Sequence, residues 1–588
     1  MKPVIDVLEQ RISRVLSSVT EQPDAAALVK TATDPRFGDY QVNGVMAAAK
    51  RLKTNPRQLA EKVIEELDLS DICQTPEIAG PGFINLRLKP EYLAEKLLEI
   101  NADTTHVGID KTGGPKRMVV DFSCPNIAKQ MHVGHLRSTI LGDALCRILQ
   151  FEGHTVIRQN HIGDWGTQFG MLIAYLKQTS PEIIERPDSV HIADLEQFYR
   201  NAKARCDADR DFAALSRQEV VNLHEGNPET LNIWRHIVDE SREHYQPVYD
   251  TLEVNLNQDN ERGESFYADR LAGLVEELKG KGLAVESDGA MCVFPEGFVS
   301  KEGQPLPFIV QKSDGAFLYA TTDLAALKFR IDELKADHIV YVTDARQKLH
   351  FEMLFATARL AGWVPEHVAL AHVTFGTVLG EDNRPLKTRS GENIKLRDLL
   401  NEAVQRARTV VEEKNPQLDE DRKTDIARAV GIGAVKYADY CNNRTSDYVF
   451  SFDKMLAMDG NTAPYMQYAY ARVKSIERKA AGKDVDIQSE LSGIATLNLT
   501  EPAELDLARH LIRYGEVIAN AMADYRPNYL TTFLYELAQK FSGFYNACPV
   551  LDANAQSRPT RLLLCDLTAR TIAHGLGELL GIRVVEQM

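Results

Sequence analysis

The sequence predicts a multidomain α/β protein, with a doubly wound parallel-sheet core between a small N-terminal α+β domain and a C-terminal all-α domain. Three observations predict it. A chain of 588 residues exceeds what one hydrophobic core supports and divides into about three or four domains. From Met118 short apolar strands alternate with amphipathic helices, the pattern of a parallel sheet covered by its crossover helices. Beyond about residue 395 the periodicity is almost only helical. The expected boundaries are 1–112, 113–394 and 395–588, with insertions in the core near 180–235 and 283–317.

In the N-terminal part, residues 4–18 put Ile5, Leu8, Ile12, Val15 and Leu16 on one helical face. Asn55–Pro56 reads as a helix start, a side-chain cap followed by proline in the first turn. Leu59, Val63, Ile64 and Leu67 then form the buried stripe. RFGDYQVNG (36–44) and the strand-like GPGFINLRL (80–88) complete the mixture. Phe37, Tyr40 and Phe83 are expected in the packing, as most aromatics are. The turn-rich DKTGGPK (110–116) is the expected linker.

In the core, strands are expected at 118–122, 155–159, 338–343 and 368–374, and helices at roughly 134–151, 166–177 and 346–361. Ligands of such sheets bind beyond the C-terminal strand ends. Three polar turns fall there: the one carrying Asn126, Lys129, His132 and His135, then NHIGDWGTQFG (160–170), then VTDARQ (342–347). The first opens a helix near Gly134, and a helix N-terminus suits phosphate. Gly134, between the two histidines, would let a nucleotide approach the backbone. Two histidines three apart also suit half a metal site or an ordinary exposed turn. A metal-dependent hydrolase built on them needs a third ligand at metal spacing, and the sequence offers no convincing one.

Tyr319-Ala-Thr-Thr-Asp323 opens another helix, with Tyr319 and Asp323 four apart on one face. A helix cap by Thr321 or Thr322 accounts for the same residues. Glu264 lies in GESFY between the two insertions, and KTRSG (387–391) is a basic loop after the last strand. Helices are expected at 396–413, 421–440, 465–480, 503–524, 529–546 and 560–580. MQYAYAR (466–472) places aromatics just ahead of a basic run, which suits unstacked RNA bases, as it would suit an amphipathic helix with a basic exterior.

The net charge of −16 counts against broad non-specific nucleic-acid binding but leaves room for local basic patches. Eight scattered cysteines with no CxxC pair argue against a structural zinc site or a disulfide scaffold and suit a reducing cytoplasm. The N-terminus lacks a signal-peptide apolar core, and no apolar run reaches the length of a membrane span. A soluble, cytoplasmic protein without a membrane partner is expected.

PNIAKQMHVGHLRST (125–139) resembles the first signature of the class I aminoacyl-tRNA synthetases, HIGH, in the form that arginyl-tRNA synthetases of bacterial type carry. FGDYQVN, GPGFIN, HIGDWGTQFG, YATTD, DARQ, KTRSG and NTAPYMQYAYAR extend the resemblance along essentially the whole chain. It implies an N-terminal domain that touches the tRNA elbow, a Rossmann-like catalytic core and a C-terminal helical domain that reads the anticodon. It also implies ATP-dependent attachment of L-arginine to tRNA(Arg) through an arginyl-adenylate, with AMP and pyrophosphate released, for translation. By the same resemblance His132, Gly134, His135, Lys387 and Thr388 would meet ATP, with His132, His135 and Lys387 catalytic. Asn126, His161, Glu264, Tyr319, Asp323 and Gln347 would meet arginine, and Phe83, Asn85, Tyr468 and Arg472 the tRNA. Mg²⁺ would travel with ATP on phosphate oxygens and water, with no tightly bound protein metal, and a monomer is the family expectation.

The chemistry agrees with these residue types. A guanidinium wants planar acceptors in a fork, which carboxylates supply. Attack on the α-phosphate needs positioning and positive charge. One departure stands out: the second class I signature, KMSKS, is KTRSG here, so Ser390 stands where the second lysine would be. Lys129, just before the HVGH turn, is expected to supply the missing catalytic cation.

Overall fold

The computed structural model describes residues 1–111, 113–387, 394–483 and 485–588. Thr388 and the rest of the KTRSG loop beyond Lys387 lie outside the described residues.

Strands Arg117–Asp121, Thr155–Gln159, His338–Asp344 and Ala369–Phe375 form one parallel sheet. Their spatial order is 369–375, 338–344, 117–121, 155–159. Val119, Val120, Ile339, Val340 and Val342 are fully buried, as expected of a parallel sheet covered on both faces. The register sets Asp121 beside Gln159 on one side and Tyr341 on the other, so the C-terminal ends share one edge. The HVGH helix, Val133–Phe151, lies tightly on this sheet: a Cβ on Gly142 would come within 2.2 Å of the Phe122 ring. Alternating strand and helix, read from periodicity, is the observed architecture.

The first insertion is helical, with Leu195–Ala208, Arg210–His224 and Pro228–Leu252. The second forms an antiparallel sheet of Ala284–Ser287, Ala290–Val293 and Phe308–Gln311. The N-terminal part is α+β, an antiparallel four-stranded sheet with helices that include Val4–Thr20 and Pro56–Glu66. Asn55 caps the latter by accepting from Arg57 and Gln58 N–H, as its sequence suggests. Tyr40 is fully buried, but Phe37 is 42% exposed and is not a packing residue. It sits in a short turn, Pro35–Phe37, whose cap is Asp34, and the turn directs its ring outward.

Beyond 395 the chain is nearly all helix, apart from Tyr448–Val449, which pairs in parallel with Val378–Leu379. Two expected helices differ from the sequence reading. The stretch 503–524 is two helices, Pro502–Leu511 and Tyr514–Ala523, because the chain turns at Ile512–Arg513. That turn lets Glu516 accept from Tyr40 Oη (2.6 Å) and Ile5 N (3.0 Å) of the N-terminal part. The stretch 560–580 ends as an α-helix at Ala573 and continues as a π-helical turn, His574–Leu579, through two glycines of low helix propensity. Among the described residues, no helix is long and apolar enough to cross a membrane.

Candidate active site

The HVGH turn ends in an unusual cap. His132 is the N-cap residue, and its Nδ1 accepts from Gly134 N–H at 3.1 Å. His135 reaches back, its Nδ1 accepting from His132 N–H at 3.1 Å. Both Nδ1 atoms are therefore acceptors, which leaves each ring proton on Nε2. The rings lie 4.1 Å apart, centre to centre, at the positive end of the helix dipole. A Cβ on Gly134 would lie 2.8 Å from His132 Cε1 and 2.9 Å from its Nδ1. The glycine thus makes room first for the histidine cap itself. Burial, then His132, pushes His135 down to about 3, and burial, then Lys129, lowers His132, so both rings are neutral hydrogen-bond donors at pH 7.

The turn before them is strained and held from several sides. Ser123, Cys124 and Ala128 have φ of 75°, 49° and 63°, a region that disfavours L side chains. Ser123 N–H donates to Ser138 Oγ (2.9 Å), Cys124 N–H to Asn160 Oδ1 (3.0 Å), and Ala128 N–H to Ser241 Oγ (3.1 Å). Tyr249 Oη joins Ser123 Oγ to Asn160. Helix Pro228–Leu252 of the insertion, which supplies Ser241 and Tyr249, is part of what fixes the turn.

Lys129 is exposed, its ammonium 4.3 Å from the centre of the Tyr199 ring. Tyr199 and Glu196 come from the insertion helix Leu195–Ala208. Glu196 pairs with Lys395 at 3.5 Å. Residues 131–133 bond antiparallel to 394–396, through Val133 N to Ile394 O (3.0 Å) and Leu396 N to Met131 O (2.9 Å). The chain leaving the KTRSG loop is in this way stitched to the HVGH turn. Lys387, where the described chain enters that loop, is exposed.

The second turn and the helix that follows the third meet at a cluster of carboxyls. Asp323, in the first turns of helix Tyr319–Asp332, has Oδ1 3.9 Å from His161 Nε2 and Oδ2 2.7 Å from His350 Nε2. Glu264 lies near both Asp323 and Asp164. Its carboxyl is pushed up to about 7 by burial, then by those two charges, with the Trp165 backbone N–H a partial offset. Asp164 is fixed by Ser265 N–H (2.9 Å) and Ser265 Oγ (2.6 Å). Gly263 is obligatory there, since a Cβ would come within 2.1 Å of the Asp164 carboxylate. Asp323, Glu264 and Asp164 thus form a carboxyl cluster flanked by the His161 and His350 rings.

Other sequence-predicted residues fall in different surroundings. Asn126 is exposed, and its Oδ1 lies 2.3 Å from where a Cβ of Gly163 would be, so the first and second turns touch. Tyr319 is 64% exposed, its ring 5.0 Å from that of His350, and Gln347 is exposed at the end of the 345–347 turn. Phe83 is half-buried, while Asn85 is 7% exposed with Oδ1 accepting from Gln41. Tyr468 is 43% exposed, and Arg472 stacks on Tyr545 at 4.7 Å. Sequence reasoning missed His350, Asp164, Tyr199 and Glu196. Of these, Asp164 and His350 stand within or just after motifs already singled out, GDW and DARQ, which is the signal that could have found them. Among the described residues, one trio of His, Asp or Glu has ligand atoms within 4.8 Å of one another, His191, Glu240 and Glu243 of the insertion.

Residues 99–452, more than half the chain, match the family described as tRNA synthetases class I (R), catalytic domain. The chain belongs to the class I arginyl-tRNA synthetase family. Residues 6–88 match the arginyl-tRNA synthetase N-terminal domain and 466–588 the DALR anticodon binding domain. The arginine–tRNA ligase of Nostoc punctiforme is 52% identical over 95% of both chains. The arginyl-tRNA synthetase structures of Plasmodium falciparum and Thermus thermophilus superpose with TM-scores of 0.86 and 0.81. They are 28% and 26% identical, with 100% of each chain covered. The activity of arginyl-tRNA synthetases, ATP-dependent charging of tRNA(Arg) with arginine, is therefore the chain's.

Proposed function

We propose that the HVGH edge holds the ATP phosphates and that the Glu264–Asp323 pocket holds the arginine side chain. The convergence of three strand-end turns on one edge carries this reading. His132 and His135 donate from Nε2 to the phosphates, and Lys129 and Lys387 add positive charge beside them. Asp323 and Glu264 accept from the guanidinium, Tyr319 flanks it at the mouth, and Asn126, His161 and Gln347 face the amino-acid end. The arginine carboxylate attacks the α-phosphorus, the bond to the β-phosphate oxygen breaks, and pyrophosphate leaves with its charge met by these donors. A ribose hydroxyl at the tRNA terminus then attacks the adenylate carbonyl, AMP leaves, and arginine is esterified to the tRNA.

The donors at the turn are imidazole N–H and ammonium groups, which do not ligate Mg²⁺. The ion is read as arriving with ATP, held by phosphate oxygens and water. Phe83, Tyr468 and Arg472 are read as tRNA-facing, and Asn85, 7% exposed, as acting on the tRNA through Gln41, which donates to Asn85 Oδ1. The units 1–112, 113–394 and 395–588 are assigned to elbow contact, activation and anticodon reading, in a cytoplasmic monomer. Exchange of pyrophosphate into ATP, screened across the twenty amino acids with and without tRNA, tests the reading. Exchange with arginine and tRNA alone is expected, and exchange with another amino acid in place of arginine overturns it.

A further inference from the structure

Asp323 is held by a residue outside the motif that carries it. His350 lies in helix Lys348–Leu360, which follows the DARQ turn, and its Nε2 is 2.7 Å from Asp323 Oδ2. Its ring is packed by Phe308 (5.7 Å), Phe351 (5.3 Å) and Tyr319 (5.0 Å). The His350 and Asp323 side chains are only 16% and 20% exposed, so little water competes for this bond. One imidazole therefore touches both Asp323 and Tyr319, the two residues of YATTD that share a helix face.

We infer that His350 is a positioning residue for arginine recognition, holding Asp323 Oδ2 so that the carboxylate plane and Oδ1 stay presented to the guanidinium. The inference rests on Asp323 being a guanidinium acceptor. A free carboxylate rotates about its last torsion and presents its two oxygens at random. A bond to one oxygen removes that freedom before the substrate arrives, as outer partners do for metal-binding carboxylates. On the opposite side His161 Nε2, at 3.9 Å from Oδ1, is too far for a hydrogen bond and leaves that oxygen for the substrate. His350 also backs Tyr319, so the third strand-end turn is mechanically linked to the YATTD helix.

The test uses the full-length enzyme in pyrophosphate exchange with tRNA present, and reads KM for arginine and for ATP separately. Phe at 350 keeps the ring and removes the donor. Asn places its amide near the Nδ1 position only, and Gln places one near the Nε2 position. His350→Phe and His350→Asn are expected to raise KM for arginine about tenfold or more, the usual effect of losing a hydrogen bond to a charged group, with KM for ATP changed less than about twofold. His350→Gln is expected to recover to within about threefold of the parent enzyme. Should His350→Phe fail to fold, His350→Asn carries the same expectation. An arginine KM within about twofold of the parent in His350→Asn, or KM values for arginine and ATP that rise together without rescue by Gln, overturns the inference. Asp323→Asn is measured beside them. If it leaves KM for arginine unchanged, the pocket reading falls; if it raises KM while His350→Asn does not, only the role of His350 falls. In the Asp323→Asn background His350→Asn is expected to add less than about twofold, because the two act as one unit.

Discussion

At the scale of single residues, charge placement governs both halves of the site. Lys129 is exposed, stands near His132 and rests on Tyr199, beside the helix N-terminus proposed to hold the phosphates. With Ser390 where a second lysine would stand, Lys129→Ala should cut pyrophosphate exchange in the presence of tRNA by about tenfold or more, the usual effect of removing a transition-state cation. A loss of no more than about threefold would show that the missing charge comes from elsewhere. Glu264 makes a pH prediction. Its carboxyl is pushed up to about 7, and the carboxylate attracts a guanidinium far better than the neutral acid, so if Glu264 meets the arginine side chain as proposed, binding expels a proton. KM for arginine should fall about tenfold from about pH 6 to about pH 8 and then level off, and Glu264→Gln should flatten that dependence. The folded state also holds the extra proton between the usual value of 4.5 and about 7. Stability of the free enzyme should therefore decline as pH rises through that window, and Glu264→Gln should lessen the decline, which thermal unfolding at several pH values reads.

At the scale of elements, the HVGH helix is anchored two residues past its second histidine. Arg137 and Asp439, both fully buried, form an ion pair at 2.9 Å between this helix and helix Glu420–Tyr440. The guanidinium also lies over the Phe375 and Tyr448 rings, at 5.8 and 5.2 Å, and donates to Ser446 O. Arg137→Met leaves Asp439 as an unpaired buried carboxylate and should cost about 3–5 kcal/mol, read from urea or thermal unfolding. The double replacement Arg137→Met with Asp439→Leu should recover much of it, since a pair of apolar side chains removes both charges together. A double variant as unstable as the single one would place the cost in packing instead of charge.

At the scale of the whole molecule, the N-terminal part is docked on the helical part through polar contacts. Glu516 is buried and accepts from Tyr40 and Ile5, while Arg509 pairs with Asp39 at 3.1 Å and Arg513 donates to Thr31 at 3.2 Å. Tyr40→Phe removes the shortest of these bonds and leaves a buried carboxyl short of a donor, at about 1–3 kcal/mol. Limited proteolysis around 103–116 should quicken, and KM for tRNA should rise while KM for arginine stays unchanged. Equal changes in both KM values would mean that this joint reaches the active site directly.

Local pattern alone determined much of this protein. Alternating strand and helix gave the parallel sheet, and the first polar turn gave Lys129, His132 and His135 as neighbours, because residues close in sequence stay close at a strand end, while Asn126 faces Gly163 of the second turn. The helical C-terminal part was legible for the same reason, although the break at Ile512–Arg513 was not, since it answers to Tyr40 and Ile5 far along the chain. Phe37 was misread because hydrophobicity does not say which way a capped turn faces. Tertiary structure alone decided the partners: His350 for Asp323 across 27 residues, Tyr249 for Ser123 across 126, and Glu516 for Tyr40 across 476. Such pairs leave no periodic trace, because a hydrogen bond depends on where two side chains arrive and not on the spacing between them. The family motifs were written in the sequence, and the contacts that hold them appeared only when the chain was folded.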